Sequence, residues 1–234
     1  MSKIVAFVLM FIVLAIPTYA GTLAGAWEMQ ADKNSNERAV MIATQNYLSI
    51  AVFEKNLFVR TYGGSYQIKD EKLTLTLEYD TKDSSNVGTA TVFNYSRTGD
   101  KFTLSNLATT NWVRIDEHGH SKLSGLWRFF ARVNPDGTTT ESKRGPRKTL
   151  KICSDGRFQW MAINIETKQF FGTGGGTYKL EDGKYTETLE FFSRDNKRVG
   201  TSLTFDAIIE NDKWKHSGKS SKGDPISEIW GKEN

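Results

Sequence analysis

From about residue 24 onward, apolar residues recur with a period of two, in short runs separated by polar, Gly- and Asp-rich turns. That alternation is the pattern of half-buried β-strands. Neither half of the chain carries an amphipathic helical pattern of ten or more residues, so an all-β chain is expected. The alternation predicts strands at about 24–31, 37–43, 46–54, 57–69, 71–80, 87–96, 101–106 and 111–116. A second set follows at about 124–133, 147–153, 157–164, 168–180, 184–194, 199–209, 212–217 and 225–231. The clearest segment, GGSYQIKDEKLTLTLEY from Gly63 to Tyr79, is two alternating runs around a polar turn, and so a β-hairpin. It returns as GGTYKLEDGKYTETLEFF, ending at Phe192.

The two hairpins align at a constant offset of 112, with Tyr66 on Tyr178, Asp70 on Asp182 and Leu77-Glu78-Tyr79 on Leu189-Glu190-Phe191. Outward, Leu23-Ala-Gly25-Ala-Trp27 is echoed by Leu123-Ser-Gly125-Leu-Trp127 at an offset of 100, and Trp112 by Trp230 at 118. The changes in offset place insertions of about twelve residues around Asn134 to Pro146 and about six around Ser217 to Pro225, both in surface-loop composition. A repeat this long means two domains rather than solenoid units. Eight sequential antiparallel strands per unit predict two up-and-down barrels, which close the sheet and remove its edges; a sandwich is the alternative. The units span residues 21–117 and 121–234, joined by the polar, glycine-containing segment 115–122.

Lys3, the apolar run Ile4 to Ile16 and the small-x-small site Thr18-Tyr19-Ala20 predict a cleaved signal peptide over residues 1–20, too short to span a bilayer. Export to a periplasm or to the exterior is therefore expected, with no transmembrane segment in the mature chain. Cys153 is the single cysteine, so stability must come from core burial, and a buried inert thiol is expected.

The Gly-x-Trp opening, the eight short strands and a Trp near each end make each half resemble the lipocalin-like (calycin) barrels. The second half, with GGGTYKLEDGKYTETLEFF, Trp214-x-His216-Ser-Gly218 and Ile226-Ser-Glu-Ile-Trp230, is similar to exported bacterial lipocalin-like domains of unassigned function. The first half departs from this at Leu104-Ser-Asn106. The resemblance implies a barrel able to hold a small ligand and implies no reaction.

Strand parity places Leu73, Leu75, Leu77 and Tyr79 on one face, and Tyr185, Leu189 and Phe191 on its counterpart, the expected barrel interior. Glu78 and Glu190 point the other way, toward a cross-strand cation or the other domain. Glu187 falls on the apolar parity where the first unit has Leu75. A lone buried carboxylate is costly, so a cation or ligand donor should accompany it, with Arg128, Arg157 and His216 as candidates. Trp27, Trp127, Trp112 and Trp230 are expected core plugs, while Trp160 and Trp214 are candidates for a binding surface. Together with Tyr178 and Tyr185 these define the expected ligand site of the second barrel.

Several motifs lead nowhere. His118 and His120 with Asp116 and Glu117 lack the spaced third and fourth ligands of a metal centre. Gly172-Thr-Gly-Gly-Gly176 precedes a strand, not a helix, so it serves a bulge or close packing rather than a phosphate. Lys143, Arg144, Arg147, Lys148 and Lys151 supply much of the net charge of +4 without aromatic interleaving, which argues against nucleic acid. At a barrel mouth they would steer anions. The expectation is an exported protein binding a small apolar or anionic ligand, with no cofactor and no metal. A structural or interaction module with side-chain-filled barrels is the alternative, and an enzyme using Glu187 and His216 ranks below both.

Overall fold

The computed structural model describes residues 22–30, 35–116, 121–220 and 223–233. The expected signal peptide and the His118/His120 pair lie outside the described residues. The first eight strands are β1 (Gly25–Met29), β2 (Glu37–Ala43), β3 (Tyr47–Glu54), β4 (Leu57–Lys69), β5 (Lys72–Asp80), β6 (Ala90–Thr98), β7 (Lys101–Ser105) and β8 (Thr109–Arg114). They form a closed barrel in sequence order, β1 pairing with β8. The second unit comprises β9 (Gly125–Val133), β10 (Thr139–Glu141), β11 (Arg147–Ser154), β12 (Arg157–Asn164), β13 (Gln169–Glu181), β14 (Lys184–Phe192), β15 (Ser202–Glu210), β16 (Lys213–Lys219) and β17 (Pro225–Glu233). It closes through β9 and β17, with the short β10 of the longer insertion laid along the end of β9. Both units are therefore eight-stranded up-and-down barrels, the second carrying one extra short strand.

Each barrel is plugged at one end in the same way. Trp27 Nε1 donates to Leu23 O (2.8 Å) and Trp127 Nε1 to Leu123 O (2.7 Å). A cation from the last strand covers each ring, Arg114 at 4.5 Å and Lys232 at 5.6 Å from the ring centroid. The four expected core tryptophans are all buried.

The hairpins break parity at one point, and this corrects the sequence reading. A β-bulge in β5 and β14, opposite Gly63/Gly64 and Gly175/Gly176, puts Glu78 with Tyr79, and Glu190 with Phe191, on the same outer face. Tyr79 and Phe191 therefore leave the barrel interiors and join buried clusters between the barrels. The glycines make the bulge possible, because a Cβ on Gly64 or Gly176 would collide with the carbonyl of Thr76 or Thr188.

The barrels pack outer face to outer face around an approximate two-fold axis. Ala26, Ile42, Tyr47 and Tyr79 of the first cluster with Leu126, Leu150, Ile152, Met161 and Ile163 of the second. Glu78 accepts from Tyr47 Oη and, across the interface, from Lys148 Nζ, both at 2.8 Å. Its counterpart Glu190 takes Arg157 Nη1 at 2.5 Å and, across the interface, Arg38 Nη1 at 3.7 Å. At the centre Gln159 Nε2 donates to Thr61 Oγ1 (2.9 Å) and Thr173 Oγ1 (3.1 Å), while its Oε1 accepts from Ser49. Ser49, Thr61, Gln159 and Thr173 thus satisfy one another at the centre of the interface, which fixes the orientation of the barrels.

Candidate functional site

The strand registers give a position-by-position comparison of the two interiors. Trp27 faces Met41 across β1 and β2, as Trp127 faces Lys151 across β9 and β11. Tyr66 faces Leu75 as Tyr178 faces Glu187. Tyr95 faces Leu104 as Ala207 faces His216. Trp112 Nε1 bonds Thr110 Oγ1, as Trp230 Nε1 bonds Glu228 Oε2. Met41, Leu75, Leu104 and Thr110 of the first barrel are thus Lys151, Glu187, His216 and Glu228 in the second. The first interior is lined by a mainly apolar cluster that contains no charged side chain, with the Tyr95 hydroxyl buried without a partner among the described residues.

Lys151 and Glu187 form an ion pair, Nζ to Oε2 3.2 Å, with both residues buried. The ammonium also lies 5.0 to 5.5 Å from the ring centroids of Trp214, Tyr185, Trp230 and Phe158, an aromatic cage around a desolvated cation. His216 packs edge-on against Phe205 at 4.0 Å, and its Nδ1 stands 3.8 Å from Glu228 Oε2, beyond hydrogen-bond reach. Burial lowers the pKa of His216 and outweighs Glu228, so the ring is neutral. Burial opposes ionisation of Glu228, but His216, Lys151 and the Trp230 N–H together hold its carboxyl below the usual value. Burial, then the charge of Glu187, pushes the Tyr185 hydroxyl well above its ordinary range.

Four buried polar atoms in this layer have no hydrogen-bond partner among the described residues: Tyr185 Oη, Trp214 Nε1 and both ring nitrogens of His216. Such groups are exceptions in folded proteins, each costing about 1–3 kcal/mol when left unpaired. Above them, at the end away from Leu123, Phe129, Trp160, Phe192, Leu203 and Ile226 pack against the core but stay incompletely buried. The site is a partly open apolar mouth over a polar floor.

Of the expected site residues, Glu187, Tyr185, Trp214 and His216 converge on this floor, and Trp160 stands in the mouth. Tyr178 faces inward near the plugged end and donates to Ser154 O (2.7 Å). Arg128 and Arg157 are corrected: neither partners Glu187. Each follows or precedes an inward aromatic, Trp127 or Phe158, and so points to the opposite face. Arg128 donates to Gly145 O (2.7 Å) and Arg157 to Glu190. The actual partner, Lys151, shares the inward parity of Cys153, which could have been read from Leu150-Lys-Ile152-Cys. Burial pushes the Cys153 thiol up to about 12, which keeps it an unreactive thiol at neutral pH.

A broad depression of about 1300 Å³ lies at the plugged end of the second barrel. Its walls include inward-facing Tyr178 and Ala207 and outward-facing Thr186 and Thr188, so it runs over the barrel edge rather than into the polar floor. Between the barrels, a void of about 10 Å³ bordered by Val40, Gln159 and Phe191 is at the limit of what one water needs.

The neutral state of His216 carries a pH dependence. An unfolded histidine takes up its proton near 6.5, whereas the folded ring resists it. The unfolded chain therefore binds more protons as pH falls through this value. Stability should be fully present above pH 6.5 and decline below it, toward the lower folded-state pKa. His216→Leu, which copies Leu104, should flatten that decline in urea titrations run between about pH 7 and pH 5.

Residues 122–233 match a family described as a domain of unknown function, DUF4488. Among solved structures, a lipocalin-like protein from Bacteroides uniformis aligns with 16% identity and a TM-score of 0.34, covering 48% of this chain and 100% of its own. No curated protein matches the chain. The chain is a tandem of two eight-stranded antiparallel up-and-down barrels, and among the described residues no helix is long and apolar enough to cross a membrane.

Proposed function

We propose that this chain is a small-molecule-binding protein in which the second barrel takes the ligand and the first is a filled structural partner. The observation that carries the reading is the exchange of Met41, Leu75, Leu104 and Thr110 for Lys151, Glu187, His216 and Glu228 at matched positions of one fold. The first barrel closes without charges there, and buried ion pairs are often no more stabilising than apolar residues of similar size. The polar set is thus surplus to folding and has another use. A ligand would rest its apolar body on Phe129, Trp160 and Phe192 and turn an uncharged polar group to Tyr185, Trp214 and His216. Lys151 is taken up by Glu187, so a buried anion on the ligand would stay uncompensated. The N-terminal pattern of Lys3 and the apolar run Ile4 to Ile16 supports export of the chain.

The test is native mass spectrometry of the full chain purified from its own host. One small molecule per chain is expected. The mutual pairing of Lys151 and Glu187 favours a second reading, a barrel closed on its own side chains, and this predicts the bare chain mass in every preparation.

A further inference from the structure

The basic run of the longer insertion does not act as one patch. Lys148 is paired with Glu78 of the first barrel, Lys151 with Glu187 inside the second, and Arg144 with Glu233. Arg147 is different. Its guanidinium lies 3.8 Å from the centroid of the Phe171 ring, and it has no acidic partner among the described residues. Arg194 is held at the same residue, by its backbone. Its Nε and Nη2 donate to Phe171 O at 3.1 and 2.9 Å, and its guanidinium stands 5.6 Å from the centroid of Trp160. Gly172 leaves room for this, since a Cβ there would sit 2.5 Å from Arg194 Nε. Phe171 thus meets Arg147 through its ring and Arg194 through its carbonyl, and Arg194 reaches Trp160, so both arginines stand on the rim of the mouth. The corresponding residues of the first barrel, Glu37, Val59, Lys82 and Ile50, cannot form this arrangement.

We infer that Arg147 and Arg194 are an anion subsite at the mouth of the second barrel, taking a carboxylate, sulfate or phosphate group. As the headgroup site of a ligand it rests on the proposed binding function. Stacking fixes the plane of the Arg147 guanidinium and leaves its N–H edges free for a bidentate oxyanion, while Arg194, whose Nε and Nη2 are taken by Phe171 O, offers Nη1. Both cations are anchored at Phe171 and neither is ion-paired among the described residues, so an anion there meets two positive charges. The floor already holds the carboxylates of Glu187 and Glu228 against the single cation Lys151, whereas the rim carries two arginines, so a negative ligand group belongs at the rim and the uncharged part inside.

Two measurements on the full chain test this. In a sodium sulfate titration at constant ionic strength, the Nε–H resonances of Arg147 and Arg194 should move along one saturating curve, while that of ion-paired Arg38 should not. Linear shifts shared by all arginines would overturn the subsite. Dye binding then separates free inorganic anions from an organic headgroup. Anilinonaphthalene sulfonate should bind the Arg147→Gln/Arg194→Gln variant about tenfold more weakly, and neutral N-phenylnaphthylamine equally well. An unchanged sulfonate affinity, or equal weakening of both dyes, overturns the headgroup assignment. If sulfate saturates the two arginines but neither dye binds the wild type, the anion site stands and the ligand-binding mouth falls.

Discussion

Lys151→Met alone is expected to destabilise the protein by about 3–5 kcal/mol, while Lys151→Met combined with Glu187→Leu is expected to be neutral or up to about 4 kcal/mol stabilising. The single change leaves Glu187 buried at 7% exposure without its cation. The double change reproduces Met41 and Leu75, which the first barrel accommodates at the same positions. Glu187→Leu alone should also be costly, although less so, because the aromatic cage still holds the Lys151 ammonium. Denaturant titration of the three variants measures the coupling. Small, additive effects would mean that the pair is not buried as described.

Trp127→Ala is expected to cost about 3–5 kcal/mol and Trp160→Ala about 1 kcal/mol or less. Trp127 is 1% exposed, meets Trp214 edge-on at 5.8 Å and ties its indole N–H to the plug at Leu123. Its loss opens a cavity that the closed barrel cannot collapse around. Trp160 is only partly buried, bounded by Phe192 at 6.1 Å and by Arg194, and water can replace it at the mouth. Equal losses in urea titration would show that the mouth is as closed as the plug.

The strand order and the duplication were legible because both leave long, local signals. Period-two alternation sets the strands, and the repeated hairpin shows that Tyr66 and Tyr178 occupy one position twice. What failed was local as well. The bulges at Glu78 and Glu190 add one residue each, and a single residue is enough to turn Tyr79 and Phe191 from the interior to the interface. β10 escaped notice because three residues, Thr139–Glu141, are too few to show an alternation. Glu187 was legible because its copy is Leu75, whereas Lys151 was hidden in an apparent basic run from which the fold sends Arg144, Arg147, Lys148 and Lys151 to four different surroundings. Of the contact between the barrels only the outward direction of Glu78 and Glu190 was legible; its centre was not, since Ser49, Thr61 and Gln159 meet only through packing of distant strands.

The central claim is that the second interior is polar for binding and not for folding. Its most direct test is native mass spectrometry of the wild type beside Lys151→Met/Glu187→Leu, both purified from the original host. The account predicts a co-purifying small molecule on the wild type and its absence from a double variant of undiminished stability. A bare wild type, or a double variant that carries the same molecule in the same proportion, would contradict it.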